Sequence, residues 1–225
     1  MVVFLIVVAV LAPFFAPFDP YKQLIWSEGL KVRLAPPTGT HWMGTDLFGR
    51  DIMSRVIFGA RISLQIGIFA TVVSLCIGVP LGAAAGFFGG RVDDLISWLI
   101  NVVFAFPFFL FVLAILAVFR NPGMLVVFTA IGLVNWVSIA RVTRAQFISL
   151  REREYVEATR ALGLPTRRVI FRHILPNALA PVIVQATLGM GSVIMVEAGL
   201  AFIGFGAQPP IPSWGLMISE GQKYL

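Results

Sequence analysis

Long uncharged apolar runs alternate with short charged stretches along the 225 residues. Residues 1–18, 62–90, 95–119 and 121–140 contain no charge, and residues 174–205 contain one, Glu197. A bilayer core of ~30 Å is crossed by ~20 apolar residues wound as an α-helix. The pattern therefore predicts an all-α integral membrane protein with five transmembrane helices. The first run lacks a basic leading segment and ends in Pro-Phe-Asp-Pro, which fits a spanning helix better than a cleaved leader. Pro13 and Pro17 are expected to bend or end it.

Three features shape the spans. Gly78, Gly82 and Gly86 recur every fourth residue, so they share a helix face on which a neighbour can approach closely. Pro107 lies among phenylalanines in the third run and predicts a kink. Pro176 and Pro181 shape the start of the fifth. Between the first two runs, residues 19–61 carry six basic and four acidic residues. At their end, residues 49–64 predict a short helix at the membrane surface, with Asp51 and Arg55 one turn apart and able to pair.

Composition agrees with the pattern. Hydrophobic residues make up 58% and charged residues 12%, with a mean hydropathy of +0.91. Soluble domains carry about 25% charged residues. The formal net charge is +6, but the excess is arginine concentrated in one loop, which argues for a cytoplasmic membrane loop and against nucleic acid. Eight arginines fall within residues 141–173. That density orients this loop to the cytoplasm and leaves residues 19–61 and 206–225 outside. The lone Cys76 permits no internal disulfide and is expected to pack inside its span. His41 and His173 have no metal-site spacing around them, and no nucleophile–base or paired-carboxylate arrangement supports catalysis. A phosphate-cradling Gly-x-x-x-x-Gly-Lys-[Ser/Thr] loop is missing from the sequence, so neither a cofactor nor a metal site is expected in this chain.

The arginine-rich loop reads as helix, turn, helix. Glu157, Ala158, Ala161 and Leu162 favour a helix. Gly163 stops it, and Pro165 suits the first turn of the next. Val156, Thr159 (through its methyl), Leu162 and Val169 are too few for a core of their own in so short a loop. They are expected to need a partner surface.

Residues 157–176 resemble the signature loop of ATP-binding-cassette importer permeases: Glu-Ala-Ala, three residues, Gly, nine residues, Ile-x-Leu-Pro. Glu157, Ala158, Gly163, Leu175 and Pro176 fall in register; Thr159 replaces the second Ala and His173 the Ile. Gly44-Thr45-Asp46-Leu47-Phe48-Gly49-Arg50-Asp51, with Ser54-Arg55 and Gly59-Ala60-Arg61 after it, is similar to a block of the dipeptide/oligopeptide/nickel permeases. So is Pro209-Pro210-x-Pro-Ser213-Trp214-Gly215, followed by Glu220-Gly221. The resemblance covers nearly the whole chain and is to the second permease subunit type.

The resemblance implies half of a translocation pathway for peptides, with nickel or another small solute as the alternative. It implies a homologous permease partner in a heterodimer, two separate ATP-binding subunits carrying ATP and magnesium, and an extracytoplasmic substrate-binding protein, all at the inner membrane. Glu157, Ala158, Thr159, Arg160, Leu162, Gly163, His173, Leu175 and Pro176 would form the ATPase-coupling loop. Gly44, Asp46, Gly49, Arg50 and Asp51 would serve an outer gate or binding-protein docking, an interfacial anchor being the plainer reading. Glu197, a carboxylate inside an apolar run, is a candidate for the translocation path. Such permeases have six spans, so five suggest a chain truncated at its C-terminal end. An ATP-independent secondary transporter would leave the coupling loop unexplained, and its usual inverted repeats are not evident.

Overall fold

The computed structural model describes residues 7–120 and 122–224, apart from the side chains of Glu28 and Lys223. Among the described residues the regular structure is helical, with one isolated bridge between Thr45 and Asp51. Short helices α1 (Ala12–Phe15) and α2 (Ile25–Glu28) precede the long α3 (Ile52–Phe88). Helices α4 (Gly90–Ala105), α5 (Phe108–Leu116) and α6 (Met124–Arg151) follow, then α7 (Glu154–Ala161), α8 (Thr166–Phe202) and α9 (Trp214–Gly221).

Part of the expected first span, residues 1–6, lies outside the described residues. Residues 7–10 are helical, and α1 ends one residue before Ala16, which is extended (φ −75°, ψ 121°). That is the conformation Pro17 imposes on the residue before it.

Helices α3, α6 and α8 are each long and apolar enough to cross a membrane. Helices α4 and α5 qualify as a pair, bent by 87°. The expected kink at Pro107 is thus a full break: Phe106 is extended (φ −91°, ψ 136°), and α5 restarts after the proline. Pro107 donates no amide and pushes Phe106 out of the helical region. The surface helix expected at residues 49–64 is not separate either. It runs without interruption into the span as the 37-residue α3, because no breaker lies between its polar start and its apolar continuation.

The chain forms two compact units, one of residues up to Gly67 together with those from Ile194 onward, the other Ile68–Val193. In the second unit α3 and α6 run parallel along the glycine face. A Cβ on Gly78 would meet the Trp136 carbonyl at 2.6 Å, and one on Gly86 would meet the Arg144 carbonyl and the Phe147 Cβ at 2.6 Å. Gly132 returns the favour on α6 against Val73, and Ser74 donates to the Gly132 carbonyl at 3.1 Å. Parallel α3 and α6 require the intervening chain to cross back. Asp93 is ion-paired to Arg144, while Met124 begins α6 twenty residues earlier, about 30 Å away at 1.5 Å per residue. Helices α4 and α5 together make that return leg. Helix α8 then packs antiparallel to α6, with Ala178 near Phe147 and Ala186 near Ile139. Cys76 is exposed on α3 and is not a packing residue within this chain.

Candidate functional site

The arginine-rich loop folds as a small cap on the ends of α3, α6 and α8. Helix α7 begins after Arg153, and Gly163, two residues past its end, has a φ of +71° that places it in the left-handed region. The Gly163 amide donates to the Arg160 carbonyl at 2.9 Å and the Leu164 amide to the Thr159 carbonyl at 3.1 Å. This double closure is the Schellman arrangement, and glycine adopts it without the strain a Cβ would add. Pro165 stands directly before α8. Residues Val169–Ile174 form a π-helical turn, a wider turn ahead of Pro176, whose ring would press on the Arg172 carbonyl in a regular helix.

Three of the four apolar loop positions find their cover inside the chain. Val156 and Val169 are fully buried with Phe147, Ile174 and Ala178, and Thr159 is buried with its hydroxyl donating to the Val156 carbonyl at 2.7 Å. These three positions therefore need no partner surface, contrary to the expectation from sequence. The ends of α6 and α8 offer an apolar socket that the loop sequence does not reveal. Leu162 differs, at 78% exposed. Glu157, Ala158, Arg160 and Phe171 are also exposed, so one face anchors α7 while the other stays open. His173 is half-buried, and its carbonyl accepts from Asn177 Nδ2 at 2.8 Å. Leu175 is half-buried and Pro176 exposed.

The second cluster lies in the other unit and joins segments far apart in sequence. Asp46 accepts from Arg50 Nε at 2.6 Å and from Arg55 Nη1, and also from the Phe48 and Arg50 amides at 2.9 Å each. Glu220 Oε2 stands 3.2 Å from Arg50 Nη2 and 3.2 Å from Arg55 Nη2. Both guanidiniums are buried, at 2% and 1% exposed. The pairing expected between Asp51 and Arg55 does not form. Asp51 instead caps α3, accepting from the Ser54 amide at 2.8 Å and hydroxyl at 2.7 Å, and its other oxygen meets His41 Nδ1 at 2.9 Å. A carboxylate just before a helix is better used on the free amides of the first turn than on a side chain one turn along. Gly44 and Gly49 take φ of +74° and +71° in the turns that carry Asp46.

Arg55, Glu220 and Trp214 stand in the sequence blocks without a site role of their own, and the fold brings them into the cluster. Trp214 donates to the Val56 carbonyl at 3.0 Å and packs where Gly59 has no side chain. The Gly44–Asp51 and Pro209–Gly215 blocks, met separately in the sequence, are thereby parts of one structure. Their co-occurrence was the signal available. Glu197 is 1% exposed and sits toward Ser213 and Ala207, though neither carboxylate oxygen makes a hydrogen bond within normal geometry.

Residues 78–225 match the family described as "Binding-protein-dependent transport system inner membrane component". A dipeptide transport system permease protein of Alkalihalophilus pseudofirmus is 47% identical over 193 residues, covering 86% of this chain and 63% of that protein. One from Bacillus subtilis is 38% identical over 98% of this chain and 67% of its own length. An oligopeptide transport system permease protein of Haemophilus influenzae is 39% identical over 97% of this chain and 69% of its own. The chain thus spans roughly two thirds of the relatives' length or somewhat less. Its fold resembles a chain of the inward-facing MetNI methionine ABC transporter, with a TM-score of 0.58 at 18% identity, over 77% of this chain and 82% of that one. The chain belongs to the family of binding-protein-dependent transport system inner membrane components.

Proposed function

We propose that this chain forms half of the membrane pathway of an ATP-binding-cassette importer for peptides, driven by separate ATP-binding subunits that dock on α7. The observation that carries this reading is the two-sided α7. Val156 packs with Phe147, Ile174 and Ala178 at the ends of two long helices, while Glu157, Ala158, Arg160 and Leu162 face outward. A short helix so anchored moves as a rigid body and passes a push to the helices beneath it. ATP and magnesium belong to the docked subunits, a homologous permease completes the pathway as a heterodimer, and an extracytoplasmic binding protein delivers the solute. The loop 141–173 faces the cytoplasm. The helices α3, α6 and α8 and the bent α4–α5 pair supply four of the five spans read from the sequence.

Peptides are favoured over nickel because the relatives described above are dipeptide and oligopeptide permeases by name. The Asp46–Arg50–Arg55–Glu220 cluster, with Gly44, Gly49 and Asp51 shaping it, is the outer closure element or the seat of the binding protein. Glu197 borders the path in a conformation other than this one, in which it is buried. The test is copurification of the permease with two ATP-binding subunits and uptake of a labelled dipeptide into vesicles. Uptake is expected to stop when ATP is depleted. Uptake that persists without ATP, or a permease that transports alone, overturns the reading.

A further inference from the structure

An arginine stands in an unusual place in the second unit. Arg144 forms a two-pronged ion pair with Asp93, with Nη2 at 2.6 Å from Oδ2. Asp93 opens α4 beside Arg91 and Asp94, so this pair marks a charged end of the bundle. Arg141 lies one turn earlier on α6. Its Nη2 donates to Asn101 Oδ1 at 3.2 Å, and its guanidinium sits 3.9 Å from the centre of the Phe104 ring. Asn101 is eight residues beyond Asp93 on α4, about 12 Å further from the charged end at 1.5 Å per residue.

The arginine therefore reaches away from the charged end. Helical side chains lean toward their helix N-terminus, and on α6 that direction runs into the apolar part of the bundle. Arg141 and Asn101 are both exposed in this chain, so the guanidinium is open to a neighbouring molecule. Arg141 has no carboxylate partner among the described residues: both Asp93 oxygens bind Arg144, and one of its five N–H donors is used on Asn101. Arg141, Arg144, Ser97, Ile100 and Asn101 line a cavity of about 370 Å³. Its charge is that of Arg141, since Arg144 is neutralised. A charged group on a helix apolar enough to cross a membrane belongs on a solute pathway or in the bundle interior, and not against lipid tails. A guanidinium with free N–H groups held on an aromatic face is shaped for a planar carboxylate.

We propose that the Arg141–Asn101 pocket is a carboxylate subsite on the solute path, taking the C-terminal carboxylate of a translocated peptide. This rests on the peptide-importer reading above. The complete transporter, with its binding protein, is placed in phosphatidylcholine vesicles with and without phosphatidylglycerol. Uptake is compared for one dipeptide and its C-terminal amide, each at saturation of the binding protein.

Arg141→Gln is expected to lower the acid-to-amide uptake ratio about tenfold, the loss of one charge-assisted contact. Arg141→Lys keeps the ratio within about threefold of the unaltered protein, because the charge remains. Asn101→Leu lowers it about threefold by freeing the guanidinium to turn; this variant decides the matter if Arg141→Gln fails to assemble. An unchanged ratio overturns the proposal, as does equal loss on both peptides. If Arg141→Gln instead abolishes a dependence of uptake on phosphatidylglycerol and leaves the ratio alone, the pocket holds a lipid phosphate and the proposal falls. Failure of the unaltered transporter to import either peptide overturns the peptide reading itself.

Discussion

The glycine seam between α3 and α6 and the charged cluster around Arg55 solve the same problem in opposite ways. Each holds separate segments of the chain together. The seam does so by deleting side chains. At Gly78, Gly82 and Gly86 a single Cβ would collide with the facing helix, so dispersion contacts between close backbones hold the pair. The cluster does so by burying two guanidiniums and matching them with two carboxylates. The seam tolerates no added volume, and the cluster tolerates no removed charge.

That contrast predicts different responses to small substitutions. Asp46→Ala has the largest expected effect. It removes the carboxylate bound by both arginines and leaves a buried net positive charge, which destabilises by about 3–5 kcal/mol. Thermal unfolding of the purified protein in detergent, followed by tryptophan fluorescence, measures it. A change below about 1 kcal/mol would mean the pair is not buried in the membrane-bound protein. Gly82→Ala comes next. Its methyl would meet the Thr143 Cβ at 2.7 Å and the Ala140 carbonyl closer still, and overpacking of this kind costs about 1–3 kcal/mol. The same substitution at Gly191, where the added carbon meets open space, serves as the control and is expected to be neutral or slightly stabilising.

Trp214→Phe keeps most of the ring and loses the hydrogen bond to the Val56 carbonyl, a cost of about 1 kcal/mol. It tests whether the two sequence blocks are held together by that contact. Glu197→Gln is expected to matter least to stability. The carboxylate is buried without a hydrogen bond within normal geometry, so a neutral amide of the same shape leaves stability within about 1 kcal/mol or raises it. A larger loss would show that Glu197 has a charged partner in the assembled protein.

The seam was legible in the sequence because its signal is local: three glycines at intervals of four on one helix. The α7 turn was legible for the same reason, since Gly163 and Pro165 carry their conformations with them. The cluster was only half legible. Asp46, Arg50 and Asp51 stood out as a charged block, but the partner that completes it, Glu220, lies 170 residues from Arg50, and no local rule connects them. The pairing of Asp51 with Arg55 failed because helix spacing says which side chains can meet, not which competing acceptor is better placed. Pro107 signalled a bend, but its size is set by how α4 and α5 both pack on α6, which no local rule reads. The socket for Val156 and Val169 was hidden because it is built from Phe147 and Ala178, which read simply as parts of long apolar helices. Arg141 was counted among the charges of the loop, whereas its side chain points along α6 toward Asn101, a direction that charge density does not register.

The most direct test of the central claim concerns Gly163. Its φ of +71° suits glycine, and a β-branched residue there adds about 1–2 kcal/mol of strain, enough to shift the α7 turn by a factor of about ten in equilibrium. The measurement is peptide uptake per ATP hydrolysed by the reconstituted complex carrying Gly163→Val, at equal amounts of permease in the membrane. If α7 transmits the power stroke, ATP hydrolysis continues while uptake per ATP falls about tenfold. Uptake per ATP that equals the unaltered complex would contradict the account.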